Sequence, residues 1–182
     1  MAMPLLACGG ARPRLCSAAM TTPTRRDTAR IILAGPDDRL LLFRHHLPEP
    51  WAQEGWLTPG GAIDPGESPA QTALRELAEE TGHLLSHAEI GRPIALDSGE
   101  WHAHGSVFVT TNWYFFSRTT SSDIDLSGQD DDERRDLLEH RWWSVVDLHT
   151  TGDLIFPVGL AGLAGRLLAG DLPLRPIRLP WT

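Results

Sequence analysis

The sequence predicts an α/β domain in which a mixed sheet packs between helices. Three observations lead there: short apolar strand signals joined by turn residues, one well-capped helix in the first half, and a second helical run near the C-terminus. The strands come in hairpins as well as in helical crossovers, so parallel and antiparallel pairs are both expected.

Taken in order, Thr28 to Ala34 (Thr-Ala-Arg-Ile-Ile-Leu-Ala) and Arg39 to Arg44 (Arg-Leu-Leu-Leu-Phe-Arg) read as strands. Gly35-Pro36-Asp37-Asp38 between them is a turn cluster, which makes the pair a hairpin. His45 to Gly55 is polar, holds Pro48 and Pro50, and reads as a loop. Trp56-Leu57-Thr58 is a short strand that Pro59-Gly60-Gly61 breaks. Ser68 is a good N-cap, Pro69 suits the first helical position, and Gln71 completes a Ser-x-x-Gln capping box. Gly82 closes this helix as a left-handed C-cap residue. Further strands are expected near Ile90 to Leu96 and Ser106 to Phe116, with loops over Asp97 to Gly105 and Thr119 to Asp132. Arg141 to Val145 reads as a final strand. Phe156 to Leu168 has helical spacing and stops at Gly170.

The 182 residues fit one domain, with 41% apolar and 22% charged residues and a formal net charge of -8. Such an acidic chain is poorly suited to general nucleic-acid or anionic-membrane binding, because neither polyanion gains by approaching it. A small phosphorylated ligand remains compatible if the site supplies its own cations. The only cysteines are Cys8 and Cys16, so the body has no disulfide framework and no cysteine-based metal site. No apolar run is long enough to span a bilayer. Residues 1–26 read as a disordered tail, or as an upstream start with Met20 as the true initiator; residues 27–182 read as a single domain. A cytoplasmic location is expected.

The chemistry concentrates on the capped helix. Glu76, Glu79 and Glu80 stand at i, i+3 and i+4 and share one face, while Ala70, Leu74, Leu77 and Thr81 fall on another. Like charges side by side cost a helix a few tenths of a kcal/mol per pair, about 0.2–0.5. A divalent cation offsets that cost, and magnesium favours oxygen ligands. Glu67 precedes the N-cap, where the helix dipole favours a negative charge. Arg75 adjoins Glu76 and can orient a carboxylate. Pro59-Gly60-Gly61 lets backbone approach an ion or phosphate closely. The plain alternative for the same cluster is a solvated, charged helix face.

The surrounding spacing shifts the balance between these. From Gly61 the chain runs five residues to Glu67, seven more to Arg75, then Arg75-Glu76-Leu77-Ala78-Glu79-Glu80-Thr81-Gly82. This resembles the Nudix box, G-x5-E-x7-R-E-U-x-E-E-x-G-U with U apolar. Every charged and glycine position matches. The departure is the last position, where His83 stands and the apolar residue, Leu84, comes one later. Trp56 to Gly61 resembles the family's lead-in, and Glu139-His140-Arg141-Trp142-Trp143-Ser144 resembles its last sheet strand, so the likeness covers roughly residues 27–170.

The resemblance implies an α/β/α sandwich and a magnesium-dependent pyrophosphohydrolase, with manganese as a substitute, cleaving a diphosphate linkage in a small nucleoside diphosphate derivative. It implies Glu76, Glu79 and Glu80 as metal ligands and catalytic groups, the Gly60 carbonyl and Glu67 as further metal ligands, and Arg75 as their holder. Glu133 is the candidate general base outside the box, set against a solvated charge among Asp130, Asp131 and Asp132. Some members form dimers, so a homodimer falls within the expectation. The rival class is a catalytically silent Nudix-fold binding module, which the complete set of box glutamates opposes. Isopentenyl-diphosphate isomerase shares the fold but resembles a site with a reactive cysteine, and both cysteines here lie in the tail.

Weaker signals are His45 and His46, read as phosphate contacts or an exposed turn, and His102 and His104, read as a metal pair or a solvent-facing strand. Trp142 and Trp143 alternate faces of a strand, so at least one is expected in the core and the other is a candidate to line a base-binding cleft.

Overall fold

The computed structural model describes residues 22–103, 105–129 and 131–181, with the side chains of 131–133 outside that description. Ten strands are present among the described residues: β1 (Thr24–Arg25), β2 (Thr28–Ala34), β3 (Leu40–His46), β4 (Glu54–Leu57), β5 (Gly60–Ala62), β6 (Ala95–Ala103), β7 (Ser106–Arg118), β8 (Leu137–Trp143), β9 (Leu154–Phe156) and β10 (Ile177–Arg178). The helices are α1 (Pro69–Thr81), α2 (His87–Ile90), α3 (Asp131–Asp136), α4 (Val145–Thr150) and α5 (Leu160–Leu168).

The strands form one mixed sheet ordered β10-β6-β7-β2-β3-β4-β9, with β1 on β7, β5 on β2 and β8 on β3. β2 and β7 run parallel over seven register pairs, while β6 and β7 form an antiparallel hairpin. Side chains alternate between two cores. Ala29, Ile31 and Leu33 of β2 pack with Leu41, Phe43, Phe115 and the α1 residues Ala73 and Leu77. Ile32 and Ala34 pack with Leu40, Leu42, Trp143 and the α5 residues Leu160, Leu163, Ala164 and Leu167. Helices therefore cover both faces, and the α/β/α sandwich is the observed architecture.

Helix α1 forms as its caps require. Ser68 accepts from the Gln71 backbone, the reciprocal Gln71 bond is present, and Gly82 closes the helix at φ 71°. Other elements differ from the sequence reading. The first strand begins at Thr24, inside the segment read as tail; residues 1–21, with Cys8, Cys16 and Met20, lie outside the described residues. Gly60-Gly61 does not simply end a strand but forms β5, bound antiparallel to Ala29 and Arg30. The 97–105 loop is mostly strand β6, and Ile90 instead ends α2. β6 reads as Ala-Leu-Asp-Ser-Gly-Glu-Trp-His-Ala, too polar for a strand by propensity, and its order comes from a nine-pair ladder with β7. β8 starts four residues early at Leu137 and is followed by β9 and β10, whose two or three residues carry no periodicity to detect.

Candidate active site

A cleft of about 940 Å³ runs from the middle and last turn of α1 across β5, β2, β7 and β6. Glu76, Glu80 and Arg75 lie at one end with Gly60 and Gly61, and Arg30, Asn112, Tyr114, Trp101 and Trp181 line the remainder.

The helix face read as solvated or metal-binding is largely buried. Glu76 is 6% exposed and Glu80 8%, whereas the Glu79 side chain is 40% exposed. Glu80 Oε2 accepts from the Gly60 backbone N–H at 2.7 Å. Gly61 lies so close to the Glu76 carboxyl that a Cβ there would overlap its atoms. Gly61 is thus needed for the approach of Glu76 to the β5 backbone, whereas Gly60, at φ 135°, is required by its own conformation and by the closeness of Ala29 and Arg30 on β2.

Arg75 spends all five N–H donors in this region. Nε and Nη2 hold both oxygens of Glu67, each at 3.0 Å, and Nη2 also reaches the Ala62 carbonyl at 3.3 Å. Nη1 donates to Glu76 at 2.8 Å and to Glu79 at 3.0 Å. The Arg75 fork, with a Thr72 hydroxyl at 2.7 Å, holds the Glu67 carboxyl down to about 2, and the Arg75 guanidinium is pushed above its ordinary range by the same bond.

Among the described residues, no three acidic or histidine side chains converge closely enough to hold a metal ion between them. The chemistry of the donor set still fits one. Glu67, Glu76 and Glu79 share a single arginine, Glu80 stands beside them on the Gly60 backbone, all donors are oxygen, and the Gly61 cradle keeps Glu76 at the cleft. A hard divalent cation needs only one or two such carboxylates when water and phosphate complete its shell.

Sequence reasoning missed most of the cleft beyond α1. Arg30 on β2 donates to the Thr58 carbonyl at 2.8 Å and makes no ion pair among the described residues. Arg26 lies 5.9 Å from the Trp101 ring centre. Asp97, 2% exposed, accepts from the Asn112 amide at 2.7 Å and the Tyr114 hydroxyl at 2.9 Å. Burial pushes the Asp97 carboxyl up against the opposing pull of those bonds, and burial next to Asp97 pushes Tyr114 well above its ordinary value. A charge inside the apolar run Thr28 to Ala34, and an amide inside Ser106 to Arg118, were the available signals for Arg30 and Asn112.

His45 and His46 do line the cleft, from the end of β3 rather than from a turn. Burial first, then the Arg30 charge, holds His45 down to about 4 despite Asp136. His102 is exposed and bonds Glu100 at 3.2 Å, and His104 lies outside the described residues. Trp143 is core. Trp142 packs on the α1 side with Nε1 on the Ser122 carbonyl at 3.1 Å, and is not in the cleft; Trp51, Trp101 and Trp181 are. His83, at the departing box position, is half-buried with Nδ1 3.3 Å from the Thr119 hydroxyl, and burial lowers it. Glu133 lies in α3, and its side chain falls outside the described ones.

The NUDIX domain family model matches residues 24–157. The chain belongs to the Nudix family. It is 32% identical over 145 residues to an RNA pyrophosphohydrolase of Caulobacter vibrioides, a match covering 74% of this chain and 79% of that relative. It is 36% identical over 58 residues to an 8-oxo-dGTP diphosphatase of Proteus vulgaris, covering 32% of this chain and 52% of that protein. Among solved structures, the MutT protein of Methanosarcina mazei Go1 superposes with a TM-score of 0.58 over 82% of this chain and 96% of that one, at 18% identity, a likeness of fold. As a Nudix hydrolase, the chain cleaves a pyrophosphate bond.

Proposed function

We propose that this chain is a magnesium-dependent pyrophosphohydrolase acting on a small nucleoside diphosphate derivative in the cytoplasm, where nucleotides and magnesium occur together. One observation carries the reading: two buried carboxylates, Glu76 and Glu80, sit against the Gly60-Gly61 backbone in the same cleft as Arg30. Anionic and cationic groups lining a single cleft suit a metal-bridged diphosphate.

Glu76 and Glu80 would hold the ion, with Glu79, Glu67 and the Gly60 carbonyl as further ligands. When bound, magnesium neutralises the diphosphate, polarises a phosphoryl oxygen and acidifies bound water. Arg75 fixes the direction of Glu67, Glu76 and Glu79 before substrate arrives, so little reorganisation is left for the reaction. Arg30 supplies donors and charge to the phosphates. Water adds to one phosphorus, the bridging oxygen departs with the other phosphoryl group, and the water proton passes to a base. Glu133 is the proposed base. Its support is position: Asp136, three residues on in the same helix, lines the cleft.

The test is a substrate panel with magnesium and product identification. The panel holds nucleoside triphosphates, ADP-ribose, dinucleoside polyphosphates, coenzyme A, a nucleotide sugar and an oligoribonucleotide with a 5′-triphosphate. Turnover of one class, lost by at least about 100-fold in Glu80→Gln with the fold intact, is the expected result. Tight binding without any turnover would instead make the chain a silent binding module.

A further inference from the structure

Resting on that reading, we infer that Asn112 is a specificity residue whose amide is locked as a hydrogen-bond donor toward the cleft, so that the site prefers a nucleobase bearing a carbonyl oxygen over one bearing an amino group. Asn112 stands in mid-sheet, paired across β6 with Asp97 and across β2 with Thr28. Its Nδ2 donates to the buried Asp97 carboxyl at 2.7 Å. Its Oδ1 accepts from the Thr28 hydroxyl at 2.5 Å, with the Thr110 hydroxyl 3.3 Å away. Thr110 has its own acceptor in the Arg26 carbonyl at 2.6 Å.

These partners fix which end of the amide is nitrogen. A carboxylate offers only acceptors, so the group facing Asp97 has to be the N–H₂, and the oxygen faces Thr28. Asp97 is itself held by the Tyr114 hydroxyl, so it cannot turn away to release Asn112. One amide hydrogen remains without a protein acceptor among the described residues, on a side chain that lines the cleft. A carbonyl oxygen completes that bond; an exocyclic amino group meets it donor to donor. A buried carboxylate directly behind a cleft amide is a costly arrangement, and orientation of the amide accounts for it.

The spacing suits a base. Gly60, where Glu80 is anchored, pairs with Arg30, and Arg30 with Tyr114. Strand spacing and rise place Asn112 about 12 Å from Gly60, roughly the reach of one nucleotide from phosphate to base edge. Beside Asp97 on the same face of β6, Gly99 has no side chain, and the Trp181 indole lies directly on it. Trp181 and Trp101 thereby wall the compartment with flat aromatic surface, which stacks on any nucleobase and leaves discrimination to hydrogen bonds.

The experiment measures binding of matched monophosphates that differ at the oxo or amino position, inosine against adenosine monophosphate and uridine against cytidine monophosphate, by calorimetry on the full chain. Wild type is expected to bind each oxo member about tenfold more tightly. Asp97→Asn, which satisfies either amide orientation, is expected to cut that ratio to about twofold or less, and Thr28→Val to reduce it from the other side. The ratio is insensitive to a uniform loss of folded protein. Equal binding within both pairs by wild type would overturn the inference, as would a ratio unchanged in whichever variants fold. Turnover without discrimination leaves the hydrolase reading standing and removes this one; discrimination without turnover of any nucleotide does the reverse.

Discussion

Replacing Gly61 by alanine separates catalysis from folding. Gly61 lies in β5 with a backbone that alanine can adopt, unlike Gly60 at φ 135°. A Cβ at 61 would stand under 3.0 Å from the carboxyl carbon and both oxygens of Glu76, where ordinary contact begins at 3.4 Å. Glu76 must therefore retreat by about 0.5–1 Å, taking its oxygen away from Arg75 as well. A displacement of that size at a reacting centre costs about 100-fold in rate. The stability cost stays small, because the displaced atoms are the end of a flexible side chain. Overpacking costs about 1 kcal/mol, and the lost freedom of glycine in the unfolded chain returns about 0.4–1 kcal/mol. For a domain of this size the melting temperature should move by no more than about 4 °C. Steady-state release of phosphate or nucleoside monophosphate gives kcat, and calorimetry gives the midpoint. A Gly61→Ala enzyme with kcat within threefold of wild type would refute the argument that Glu76 acts from this position.

Arg75→Lys should retain the charge yet lower kcat by about tenfold or more, because one ammonium cannot serve Glu67, Glu76 and Glu79 at once; unchanged kcat in a kinetic comparison would count against the clamp. His45 gives a pH signature. Its folded value near 4 lies below the ordinary 6.5, so between those values the unfolded chain takes up a proton that the folded one refuses. Stability therefore falls as pH drops from 6.5 to 4, by at most about 3 kcal/mol from this group, and urea titrations of His45→Gln should show a shallower fall over that window. Chelation by excess EDTA should abolish turnover and added magnesium restore it; rates that persist in chelator would remove the metal from the mechanism.

The Nudix box was legible because its physics is local. A helix converts spacing into a shared face, so Glu76, Glu79 and Glu80 could be placed together from sequence alone, and Ser68, Gln71 and Gly82 fixed the helix around them. The apolar runs within Thr28 to Ala34 and Arg39 to Arg44, bounded by turn residues, likewise announced the two strands at the centre of the sandwich. Burial was not legible: whether an i, i+3, i+4 glutamate meets water or a glycine backbone depends on what packs there, and Gly60-Gly61 arrive only through pairing of β5 with β2. The rest of the cleft was assembled entirely by tertiary structure. Asp97, Asn112 and Thr28 lie 15 and 84 residues apart along the chain and meet because three strands align in register. Trp181 reaches Gly99 because β10 pairs with the edge of β6. Sequence determined the fold class and the shared face of the box glutamates through short-range periodicity, and tertiary structure alone decided the walls of the cleft, since non-local strand pairing leaves no periodic trace in the chain.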